Sequence, residues 1–142
     1  MEYIRTLSKN HWDETREEFN DFAFNNSSKA RGGGISVIDI ECATQSNGGV
    51  CGHIDTHYLK KASPPLFWRI SDTKFPREFT KQHDNSNGDN CHYNIFGISN
   101  NKARRIFYEN IENAIFLCVD GQPQTRTMTE IKELIRTGGI KL

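Results

Sequence analysis

Hydrophobic and polar positions change their period twice along the chain. In residues 11–24, Trp12, Thr15, Phe19 and Phe22 recur at three- and four-residue spacing. Asp13 and Glu14 come early, where a helix dipole favours acids, so the spacing predicts an N-terminal helix. Asn25-Asn26-Ser27-Ser28 stops it, and Ser27 to Gly34 reads as a glycine-rich connector. From Ile35 the period drops to two. Ile35 to Cys42 is rich in β-branched residues and predicts a strand, followed by a turn over Gln45-Ser46-Asn47-Gly48-Gly49. The same reading gives strands over 50–59, 66–70, 78–82, 92–98, 104–108 and 114–119. Pro64-Pro65 interrupts them, as does the polar turn Asp84-Asn85-Ser86-Asn87-Gly88-Asp89-Asn90. The longer period returns at Thr127, which caps a C-terminal helix that Gly138-Gly139 ends.

No strand–helix–strand alternation is visible, which argues against a parallel doubly wound sheet. The expected class is α+β: a mainly antiparallel curved sheet or small barrel over residues 35–119, with an N-terminal and a C-terminal helix. At 142 residues the chain reads as a single domain, 1–142.

Composition narrows the function classes. Eighteen basic residues balance eighteen acidic ones, so no net field draws the chain to nucleic acid or an anionic membrane. No run approaches the ~20 apolar residues of a membrane span, and the start carries no apolar leader. Cys42, Cys51, Cys91 and Cys118 form no CxxC pair and read as reduced thiols, which places the chain in the cytoplasm. Substrate, partner and oligomeric state stay open.

The chemistry centres on Val50 to Leu59. On a strand, Cys51, His53, Asp55 and His57 would leave the same face. His53 and Asp55 with a second histidine, His92, would form a two-histidine, one-carboxylate metal site with open coordination positions. His53-x-Asp55, then His92, then Arg104 resembles the HxD…H…R order of Fe(II)/2-oxoglutarate oxygenases. The His53/His57 pair with His92 is also loosely similar to cupins. These resemblances imply a double-stranded β-helix, a divalent metal, Fe(II) or Zn(II), and 2-oxoglutarate as cosubstrate. Arg104 or Arg105 would hold the cosubstrate's distal carboxylate. Two departures stand beside them: the stretch from Asp55 to His92 holds only two expected strands, and Lys60-Lys61 occupies the neighbourhood of the cupin glutamate.

Three other readings use the same residues. A ribonuclease-like enzyme would divide acid and base roles among His53, His57 and His92, with Arg69 and Glu41 nearby. A papain-like hydrolase would use Gln45 for the oxyanion, Cys51 as nucleophile and His92 as base. A non-catalytic small-molecule or protein-binding module would satisfy its histidines with hydrogen bonds. His11 and His83 read as solvated, Trp12 and Trp68 as core anchors. The 84–90 turn reads as a plain loop, because its glycine is misplaced for a calcium-binding EF-hand.

Overall fold

A strand at the start of the chain, β1 (Glu2–Leu7), takes the centre of the sheet. Its alternation sends Tyr3 and Leu7 to one face and Ile4 to the other, all fully buried. A strand buried on both faces reads as an apolar run rather than an alternation, and so it escapes the period-two test. The computed structural model describes residues 1–24, 34–58, 62–111 and 114–142.

Seven strands pair in the order β6-β7-β4-β1-β5-β8-β9. They are β4 (Ile35–Asp39), β5 (Leu66–Ser71), β6 (Thr80–His83), β7 (His92–Phe96), β8 (Ile115–Val119) and β9 (Gln122–Thr125) around β1. Every pairing is antiparallel. The sheet is open, with exposed β6 and β9 at its edges, and does not close into a barrel. β9 carries Pro123, which cannot donate to a ladder and suits an edge.

Helices cover both faces. On one, α3 (Asn100–Glu109) and α4 (Met128–Thr137) join the N-terminal segment over Leu7, Val37, Trp68 and Leu117. The rings of Phe24 and Trp68 each lie 5.0 Å from that of Phe107 at the centre of this cluster. On the other face, α1 (Ile40–Thr44) and α2 (Gly49–His57) pack Ala43, Val50, Cys51 and Ile54 on Ile4, Ile38 and Phe67.

Several expected elements are different. The segment 11–24 is not a helix. Trp12–Asp13 (β2) and Glu18–Phe19 (β3) form a small separate hairpin between two short 3-10 turns. Asp13 Oδ1 accepts the Thr15 and Arg16 amides and fixes its turn. The expected strand over 104–108 is the interior of α3. There Ala103, Ile106 and Phe107 make a helical stripe, and Ser99 caps the start by accepting from the Lys102 amide. Where a strand was expected over 50–59, residues 50–57 belong to α2, so the same-face row of Cys51, His53, Asp55 and His57 does not exist. Val50, Cys51 and Ile54 are buried at helical spacing while Asp55, Thr56 and His57 are exposed. The α1–α2 turn needs its glycines: a Cβ on Gly52 would lie 2.2 Å from the Asn47 carbonyl oxygen, and Gly48 has φ of 82°. The C-terminal helix matches expectation, with Thr127 and Glu130 exchanging capping bonds and Gly138 left-handed at its end. Most of the Ser27–Gly34 connector, and Lys60-Lys61, lie outside the described residues.

The cysteines are not reduced thiols. Cys42 pairs with Cys91, tying α1 to the start of β7, and Cys51 pairs with Cys118, tying α2 to β8. Closing loops with sequence separations of 49 and 67 removes enough unfolded-chain entropy to stabilise the fold by about 4 kcal/mol each.

Candidate active site

α2 presents His53 toward the 84–90 turn, and Asp89 in that turn meets it. His53 Nε2 lies 2.9 Å from Asp89 Oδ1, and His53 Nδ1 lies 2.7 Å from the Ser46 hydroxyl at the α1–α2 turn. The relative exposure of the His53 side chain is 3% and that of Asp89 1%. Ser46 is half-buried. Asp89 also accepts from the Tyr58 hydroxyl at 2.7 Å and the Cys91 amide at 2.8 Å. Burial works against ionisation of Asp89. The Tyr58 hydroxyl, the Cys91 amide and the charges of His53 and His57 outweigh it and hold the carboxyl below its usual range. Burial and the neighbouring carboxylate push the Tyr58 phenol well above its usual value, so it remains a donor.

This fixes the direction of each bond. An ionised Asp89 only accepts, so His53 Nε2 carries the proton toward it. In the neutral ring Nδ1 is then a lone pair that accepts the Ser46 O–H. Hydroxyl, imidazole and carboxylate stand in line, with the imidazole oriented by a charge. The order of ring nitrogens is reversed relative to the usual triad, which the chemistry tolerates because either nitrogen can be the base once the other is held.

The metal site expected from the sequence does not assemble. His53 and Asp55, two residues apart on a helix, point in different directions: His53 is buried and Asp55 exposed. His92, on β7, is bonded through Nε2 to the Ser36 hydroxyl and through Nδ1 to the Asp84 carbonyl oxygen at 2.7 Å. Among the described residues, the histidine, cysteine and acidic side chains close enough to share an ion are His53, Asp89 and Cys91. Arg104 and Arg105 belong to α3, on the opposite face of the sheet from α2. Arg104 pairs with Asp21 at 2.6 Å and Arg105 is exposed, so neither anchors a cosubstrate at His53.

The other candidates also move apart. Cys51 sits in the first turn of α2, where a thiol reading would want it, but its sulfur is bonded to Cys118. His57 is exposed on α2, its ring 4.5 Å from that of His53. Arg69 pairs with Glu2 on β1, and Glu41 is exposed on α1. A cleft of about 380 Å³ opens beside Glu2, Arg69, Lys74 and Asn110, and of the expected site residues it includes only Arg69.

A second serine–histidine pair, Ser36 and His92, lies on β4 and β7. Its imidazole is held by a neutral carbonyl oxygen, with the Asp84 carboxylate 4.0 Å away. The Ser86 hydroxyl and amide hold the Asp84 carboxyl down at about 2. A neutral acceptor stabilises an imidazolium less than a carboxylate does, so Ser46–His53–Asp89 is the better-built of the two.

Sequence reasoning singled out His53 but missed Ser46, Tyr58 and Asp89. The signal at Asp89 was a polar turn running straight into Cys91, which composition alone reads as a loop. No family model, curated protein or solved structure matches the chain. No helix among the described residues is long and apolar enough to cross a membrane.

Proposed function

We propose that the chain is a serine hydrolase acting on carboxylic esters or amides. The observation that carries this reading is the line of hydrogen bonds from Ser46 Oγ to His53 Nδ1 and from His53 Nε2 to Asp89 Oδ1, at 2.7 and 2.9 Å. Ser46 attacks the carbonyl carbon as His53 Nδ1 takes its proton, and Asp89 stabilises the imidazolium that forms. His53 returns that proton to the leaving oxygen or nitrogen, and water then releases the acyl group from Ser46 by the same route. The helix that follows Ser46 begins without a side-chain cap at Gly48; its Gly49 amide is taken by the Ser46 carbonyl oxygen, and the next two amides, of Val50 and Cys51, have no side-chain acceptor among the described residues and can serve a developing oxyanion. The paired cysteines favour an oxidising compartment over the cytoplasm.

A fluorophosphonate probe tests this. Covalent labelling of the disulfide-intact protein, mapped by mass spectrometry to Ser46 and lost in Ser46→Ala, supports the reading. Labelling elsewhere, or none, overturns it. The near-complete burial of His53 and Asp89 favours a second reading, a non-catalytic binding module in which the same bonds brace α2 against the 84–90 turn. An unlabelled protein in which His53→Ala loses stability as Asp89→Ala does would support the second reading.

A further inference from the structure

The Cys42–Cys91 disulfide lies against the same histidine and carboxylate. One ligating atom from each of His53, Asp89 and Cys91 falls within 4.8 Å of the other two. Cys42 is bonded to Cys91, with 5.5 Å between their Cα atoms, which sets a second sulfur beside that of Cys91. We propose that Cys42, Cys91, His53 and Asp89 form a zinc site when the Cys42–Cys91 disulfide is reduced.

The donor set suits that ion. Zinc takes four ligands in a tetrahedron from thiolate, imidazole and carboxylate. The four side chains come from α1, α2, the polar turn and the residue before β7. Their supports also fit a metal centre. Ser46 partners the ring nitrogen of His53 that faces away from Asp89, and Tyr58 holds the second oxygen of Asp89. Metal-ligating histidines and carboxylates are commonly oriented by bonds of this kind.

A dithiol reductant supplies the two electrons and two protons that open the disulfide, and is itself oxidised to a disulfide. Zinc binding then releases both protons as the sulfurs bind as thiolates. His53 Nε2 must give its lone pair to the metal, so the ring proton moves to Nδ1. That nitrogen then donates to Ser46 instead of accepting from it, and His53 can no longer act as the base. The metal-binding arm stands without the hydrolase reading. The loss of base function rests on it.

The test uses the full chain, reduced with a dithiol that is then removed without air, and titrated with Co(II) and Zn(II). We expect one Co(II) per chain, with thiolate charge-transfer absorption, displaced by one equivalent of Zn(II). X-ray absorption of the zinc form should show two sulfurs at about 2.3 Å and two nitrogen or oxygen ligands at about 2.0–2.2 Å. The oxidised protein should bind neither ion, and Ser46→Ala should bind both. A four-sulfur shell, a shell without sulfur, or no stoichiometric binding by the reduced chain overturns the site, whether or not the reduced apo-chain stays folded. Fluorophosphonate labelling of Ser46 should fall at least tenfold in the zinc form. If the oxidised protein is never labelled, the hydrolase reading fails while the absorption result still decides the metal site.

Discussion

Tyr58 donates its hydroxyl to the Asp89 carboxylate oxygen that His53 does not use, at 2.7 Å. That bond leaves Asp89 satisfied at both oxygens although almost no solvent reaches it. Tyr58→Phe should destabilise the protein by about 1–3 kcal/mol, because one buried carboxylate oxygen loses its donor. The effect should depend on pH. A carboxyl held below its usual range stabilises the fold above about pH 4, and that contribution is lost as pH falls through the depressed value. Removing the Tyr58 hydroxyl raises the folded-state pKa of Asp89, so the acid loss should begin at higher pH. Urea unfolding between pH 2 and 7 checks both points, and identical acid limbs for the two proteins would refute the coupling.

The Cys51–Cys118 disulfide fastens α2 to β8 on the face that carries the site. The paired variant Cys51→Ala, Cys118→Ala should lose about 4 kcal/mol from the loop-closure term. The packing of two small apolar sulfurs adds a little to that. Guanidinium unfolding under non-reducing conditions measures the loss, and a change below 1 kcal/mol would show that this link constrains little.

Tyr3 is fully buried, and its hydroxyl has no hydrogen-bond partner among the described residues. Burial, reinforced by the charges of Asp72 and Asp39 and by Tyr93, pushes its phenol up to about 12. The folded state therefore keeps this proton after the unfolded chain has released it, and stability falls as pH rises from about 10 toward 12. Tyr3→Phe removes both the unsatisfied oxygen and the titration. It should raise stability by about 1 kcal/mol at neutral pH and flatten the alkaline decline. Thermal unfolding from pH 7 to 11.5 would show otherwise if Phe proved destabilising or the two alkaline limbs coincided.

What the sequence made legible was mostly local. The Thr127 cap with Glu130 and the β-branched or aromatic runs of β4, β5, β7 and β8 carry their own signals. α2 did not, because three of its early positions or neighbours are Gly48, Gly49 and Gly52 and its polar residues happen to alternate. Its helix is held by tertiary contacts: Val50 and Ile54 on Ile4 and Phe67, and the bond from Cys51 to Cys118. α3 was misread because Arg104 to Tyr108 mixes aromatic and β-branched residues, while the stripe at Ala103, Ile106 and Phe107 needs the whole helix to show. The site was partly legible at His53 alone. Its partner Asp89 lies 36 residues away in sequence, and neither spacing nor composition reports a contact of that range.

His92 was the residue that each catalytic reading of the sequence shared, and the structure gives it a different part. It is 7% exposed on β7, and its two ring nitrogens are taken by the Ser36 hydroxyl on β4 and the Asp84 carbonyl oxygen in the polar turn. It therefore staples three pieces of chain that meet at one corner of the sheet. His92→Ala would leave a cavity, a half-buried hydroxyl and a carbonyl oxygen that has lost a donor. The loss should be about 2–3 kcal/mol. Ser46, His53 and Asp89 use none of these bonds, so fluorophosphonate labelling of Ser46 should persist below the variant's unfolding temperature. His92→Gln can form one of the two bonds and should recover part of the stability. A His92→Ala protein of unchanged stability that no longer reacts at Ser46 would return His92 to the catalytic machinery and remove the structural role argued for it.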